Sequence, residues 1–69
     1  MDKIEFGKFI QIERKRKGLS RRELAEMTGF TERTIQHWEE GTRNIALKNA
    51  DVLTKALGIS FQIGKKEKE

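Results

Sequence analysis

The sequence predicts a small all-α domain of four to five short helices, two of them joined by a tight turn. Three observations predict it. Apolar residues recur at spacings of three and four along most of the chain, the period of a helix with one buried face. Ser, Thr or Asp stands just before three of these runs, where a side-chain oxygen can cap a helix. Gly follows each run, where a helix must stop. No strand is needed before the last dozen residues.

Taken in order, Asp2 with Glu5 three residues later is a capping-box-like start. Phe6, Phe9, Ile10 and Glu13 then repeat at helical spacing, giving a first helix from about Lys3 to Arg16 that Gly18 ends. Ser20 with Glu23 repeats the capping signature and opens a second helix, Arg21 to Met27. Thr31 caps a third, Glu32 to Glu40, closed by Gly41. A loop, Thr42 to Asn44, leads to a fourth helix carrying Leu47, Ala50, Leu53, Ala56 and Leu57 and stopped by Gly58. Beyond it Ile59, Phe61 and Ile63 alternate with Ser60 and Gln62, the period of a strand. Gly64 and KKEKE complete a charged, flexible tail. The chain thus divides into a helical domain, 1–58, and a short extended segment with its tail, 59–69. That segment could pair with its counterpart in another subunit, pack back on the core, or begin a further domain.

The densest information lies in residues 21–40, RRELAEMTGFTERTIQHWEE. Leu24 and Ala25 form the inner face of the second helix, and the small Ala lets the third helix approach. Gly29 can take the positive φ that a sharp turn between helices demands. Phe30 re-enters the core, and Ile35 and Trp38 carry the inner face of the third helix. This is the helix-turn-helix pattern, whose second helix is commonly laid in a DNA major groove.

Composition narrows the function classes. Sixty-nine residues make one small domain, and chains below ~70–80 residues bury little core, so regular helix packing or dimerisation must supply the stability. There is no Cys, which excludes disulfides and thiolate metal sites, and one His builds no metal site alone. No apolar run approaches the ~18 residues of a membrane span. The six Gly form no phosphate-cradling loop, so no cofactor is expected, and His37 has no nucleophile at a workable spacing. Catalysis is therefore not expected. The formal charge is +4, and RKRKGLSRR, residues 14–22, holds six basic residues and no acid. Alone, such a run is equally a solvated helix C-terminus suited to the dipole. Beside a helix-turn-helix it gains weight as a surface for phosphates.

FGKFIQIERKRKGLSRRELAEMTGFTERTIQHWEEGTRN followed by LKNADVLTKALGI resembles the lambdoid phage repressor and Cro type of helix-turn-helix domain, the Xre-like family. The resemblance spans about Phe6 to Ile59 and rests on Glu23-Leu24-Ala25, Gly29, Ile35, the WEEG at 38–41 and the closing ALGI. It implies a compact repressor-like fold and a sequence-specific transcriptional regulator, cytoplasmic, nucleoid-associated and of prokaryotic or phage origin. Its partners would be double-stranded DNA and a second copy of the chain. It also implies that Arg14 pairs with a partly buried acid at Glu39. A helical wheel separately puts Glu39 beside Ile35, where an unpaired carboxylate would be costly. Positions that face DNA in the family correspond to Thr31, Glu32, Arg33 and His37, and the wheel adds Gln36 and Glu40 to the outward side. Arg33 suits guanine O6 and N7, Gln36 adenine, Glu32 a cytosine amino group, and His37 could donate to a purine N7. Positions that contact phosphates in the family correspond to Arg21, Arg22, Arg43, Asn44 and Lys48.

The chain departs from the family at three places. Arg21 replaces a frequent Gln and removes an amide that can brace a base-reading residue. Ile45 stands where many members have Pro. ISFQIGKK does not resemble the further helix that phage repressors use for dimerisation. An antitoxin or other protein-binding module on the same scaffold, using 59–69 to hold a partner, is the alternative function.

Overall fold

The computed structural model describes residues 3–59, with side chains from residue 5 onward. The Asp2 cap and the segment 60–69 lie outside the described residues. Four helices follow one another: α1 (Lys3–Arg16), α2 (Arg21–Thr28), α3 (Glu32–Glu40) and α4 (Leu47–Ala56). No strand occurs among the described residues.

The starts and stops follow local chemistry. Ser20 accepts from the Glu23 N–H at 3.0 Å while Glu23 accepts from the Ser20 N–H at 2.8 Å, a complete capping box for α2. Thr31 accepts from the Thr34 N–H at 3.1 Å and caps α3. α2 runs one residue past Met27 because the Thr28 hydroxyl donates to the Leu24 carbonyl at 2.8 Å within the same turn. Gly29 then takes φ 86°, a value a Cβ would strain, and its N–H closes on the Ala25 carbonyl at 2.8 Å. α1, α3 and α4 end alike. The N–H groups of Leu19, Thr42 and Ile59 reach back over five residues to the carbonyls of Arg14, His37 and Thr54 at 2.9–3.1 Å.

α3 packs on α1 and α2, and α4 packs on α2. One core results, built from Phe6, Ile10, Leu24, Ala25, Ile35, Trp38, Ala50, Leu53 and Leu57, with Phe9, Leu19, Phe30, Ile45, Ala56 and Ile59 against its edge. Leu47 does not join it. At 64% exposure it stands in the first turn of α4, beyond the reach of the neighbouring helices, so its place in the apolar repeat does not bury it. Periodicity locates a face but not how far along the helix that face is covered.

Two features fix how α3 sits. Gly7 lies inside α1, where a Cβ would collide with the Trp38 carbonyl oxygen and come within 2.9 Å of that of Glu39. The helices can therefore touch backbone to backbone only without a side chain there. Two turns further along α1, Arg14 donates from Nε to Glu39 Oε2 at 2.7 Å and from Nη2 to Oε1 at 3.1 Å. Its Nη1 reaches the Leu19 carbonyl at 2.7 Å, binding the α1–α2 turn into the same cluster. Arg21 adds a third donor, Nε to Glu39 Oε1 at 2.9 Å. Arg14 and Glu39 are both buried, whereas the Arg21 side chain is 31% exposed.

These packing constraints have opposite weights in unfolding experiments. Gly7→Ala gains about 1 kcal/mol of helix propensity but forces a methyl against immobile backbone oxygens, so a net loss of ~1–3 kcal/mol is expected from urea denaturation. A stabilised Gly7→Ala protein would show that the α1–α3 approach is looser than described. Glu39→Gln leaves Arg14 buried without a counter-charge and should cost ~3–5 kcal/mol. Arg21→Gln should cost under about 1 kcal/mol, since that side chain is partly screened by water and Arg14 still neutralises the carboxylate.

Candidate nucleic-acid interface

α3 is buried along one side and open along the other. Ile35 and Leu24 are fully buried, and Trp38 and Glu39 nearly so. The Trp38 ring meets Phe30 edge-on, with centroids 4.9 Å apart and planes at 88°. Its indole N–H donates to the Asn44 carbonyl at 3.3 Å, which ties the loop after α3 to the helix itself. With these side chains turned inward, Glu32, Arg33, Gln36 and Glu40 are exposed and His37 is half-buried.

Each outward group has a distinct environment. Arg33 makes no ion pair or side-chain hydrogen bond among the described residues, and neither does Glu32. The Gln36 amide donates to Glu40 Oε2 at 3.0 Å, one turn on, which orients its carboxamide. His37 Nδ1 lies 3.0 Å from the Thr42 hydroxyl. The Thr31 hydroxyl is already engaged with the start of α3, accepting from the Thr34 N–H and donating to the Thr34 hydroxyl at 2.9 Å. Of these groups Arg33 has the most free donor capacity.

The cations assigned to phosphates fall into two segments. Arg43 and Asn44, with Lys48 in the first turn of α4, are exposed, and the Trp38–Asn44 bond draws their loop to α3. Arg21 and Arg22 open α2, and the Arg21–Glu39 bond draws that end toward the C-terminal half of α3. Arg22 makes only a loose, exposed pair with Glu26 at 3.6 Å. Arg21 has its Nε on Glu39, so only its remaining N–H groups are available to an anion. The helix N-termini of α2 and α3 point further backbone N–H groups in a form suited to phosphate.

Sequence reasoning missed three contacts here: Arg21 to Glu39, Arg14 to the Leu19 carbonyl, and Thr42 to His37. The last had a usable signal, because a helix closed by Gly41 folds the next residue back over the final turn. No group of three or more His, Cys, Asp or Glu among the described residues is arranged to hold a metal, and none of their helices is long and apolar enough to cross a membrane.

Comparison with known proteins agrees with this geometry. Residues 10–63 match the model of a helix-turn-helix family. Among solved structures, the restriction-modification controller protein C.AhdI from Aeromonas hydrophila superposes with a TM-score of 0.79 at 35% identity. The alignment covers 83% of this chain and 86% of that one. No curated protein sequence matches the chain. Four short helices with a Gly29-turned pair at their centre, matched over most of their length by family and structure alike, place this chain in the Xre-like, lambda repressor and Cro type of helix-turn-helix DNA-binding transcriptional regulators.

Proposed function

We propose that the protein is a sequence-specific regulator, a repressor in the first instance, that lays α3 in the major groove of double-stranded DNA. The observation that carries this is the division of α3 into a locked inner face and an outer face led by the unpaired Arg33. Arg33 is suited to grip guanine O6 and N7, a contact worth ~1–3 kcal/mol of discrimination. His37, Gln36, Glu32 and Thr31 complete the base-reading set, with Thr31 chiefly positioning the helix through its cap. Arg22, Arg43, Asn44 and Lys48, with the free N–H groups of Arg21, would hold the flanking phosphates and supply most of the affinity.

A single domain of this size offers few base contacts. Two copies on a two-fold site, with half-sites ~34–36 Å apart, would double them. The likeness to C.AhdI supports a controller-type role, in which the regulated promoter carries such a site. The helical unit 1–58 would be the DNA-binding part, with 59–69 left to a partner or a second copy.

Selection of bound sites from random duplexes tests this directly. The wild-type protein should return a two-fold symmetric motif. Arg33→Ala should relax preference at one position in each half-site without altering the fold. Arg43→Ala should instead weaken binding evenly across sequences and lower the slope of log affinity against log salt by about one. An Arg33→Ala protein with unchanged preference and affinity would show that the outer face of α3 is not the reading surface.

A further inference from the structure

We infer that Thr42 fixes the tautomer of His37, and that His37 therefore reads a base as a hydrogen-bond acceptor rather than as a donor. Two contacts meet at the Thr42 hydroxyl. It lies 3.0 Å from His37 Nδ1, and it lies 3.3 Å from the His37 carbonyl oxygen. A carbonyl can only accept, so the hydroxyl hydrogen must point at it for that contact to bond. Nδ1 must then carry its own hydrogen and donate to the hydroxyl oxygen. In the other tautomer the hydroxyl would donate to a bare Nδ1, and two oxygens would face each other with no hydrogen between them. Only the Nδ1–H form satisfies both contacts at once.

That choice determines the outer edge of the ring. With Nδ1 protonated, neutral His37 presents a bare Nε2, which has no partner among the described residues. A bare nitrogen accepts. In the major groove the hydrogen-bond donors are the amino groups of cytosine N4 and adenine N6, whereas guanine shows only acceptors and thymine an acceptor and a methyl. His37 thus accepts from the amino group of a cytosine or an adenine, in place of the donation to a purine N7 that its residue type alone suggests. Thr42 acts as a positioning residue that never needs to touch DNA. Its own place is secured by the turn, where its N–H donates to the same His37 carbonyl at 3.0 Å.

The inference rests on the groove-facing role proposed for α3, and two measurements separate their failures. Long-range nitrogen–proton NMR correlation on the free protein, under mildly alkaline conditions where imidazoles are neutral, should show hydrogen on Nδ1 and none on Nε2. Thr42→Val, which keeps the shape and loses the hydroxyl, should release this bias, and Thr42→Ser should restore it. A ring protonated at Nε2 in the wild-type protein would overturn the inference. Site selection with His37→Ala identifies the base pair beneath the ring, and blocking that pair's major-groove amino hydrogen with N4-methylcytosine or N6-methyladenine should weaken the wild-type protein but not His37→Ala. Thr42→Val should lower the discrimination there by roughly three- to tenfold, the range of one hydrogen bond. Replacing the purine of that pair by its 7-deaza analogue, which removes the N7 acceptor, should leave wild-type binding unchanged, and weakened binding there would show that His37 donates to N7 and would overturn the inference. If His37→Ala changes no preference while Arg33→Ala does, the inference alone falls. If neither changes preference, the groove-facing role itself is wrong.

Discussion

A carboxylate buried where three helices meet is the interaction on which the rest of the structure depends. Glu39 receives two N–H groups from Arg14 and one from Arg21, and its side chain is shut off from water. Desolvating such a charge is expensive, and a single partner would scarcely offset it. Here two guanidinium groups surround it, and Arg14 donates from its third nitrogen, Nη1, to the Leu19 carbonyl in the α1–α2 turn. The cluster therefore joins α1, the turn, α2 and α3 at one point. Because Glu39 is adjacent to Trp38 and four residues from Ile35, holding it inward fixes the rotation of α3 about its own axis. Arg33 and His37 are then outward by geometry, whatever they bind.

Gly7 sets the complementary quantity, the distance between α1 and α3. Without a Cβ it lets the backbone of α1 rest on the Trp38 and Glu39 carbonyls. Close approach brings Arg14, two turns on and on the same side of α1, to the carboxylate. A close backbone approach and an ionic contact thus share a single helix pair, and loosening either would free α3 to turn.

Much of this was legible in the sequence, for reasons that differ from residue to residue. The helix starts at Ser20 and Thr31 and the stops at Gly18, Gly41 and Gly58 could be read because capping is local and involves residues within one turn. The inward set Leu24, Ala25, Ile35 and Trp38 could be read because burial imposes the helical period. Leu47 shares that period yet is exposed, since nothing in the repeat marks where the covering helices end. Gly7 sits inside a helix with no punctuation around it, so its function as a contact point is a tertiary fact with no local trace. Arg21 lies in a run of basic residues that resembles a phosphate surface, and only the fold reveals that one of its donors belongs to Glu39. On the outer face, residue types suggested hydrogen-bonding capacity but not direction: Glu40 turns the Gln36 amide and Thr42 turns His37, and both are pre-organised before any ligand arrives. Pre-organisation of that kind lowers the ordering cost of binding, which Arg33, held by nothing among the described residues, must meet in full.

The central claim is that the helix held inward by Glu39 and Trp38 presents its opposite side to a duplex. Amide chemical-shift mapping during titration with mixed-sequence duplex DNA at low ionic strength tests it most directly. The account expects the perturbed amides at the start and outer face of α3, in the loop at 42–44 and at the beginning of α2. Perturbations gathered instead around Ile12 on α1 or Val52 on α4, with α3 silent, would contradict it.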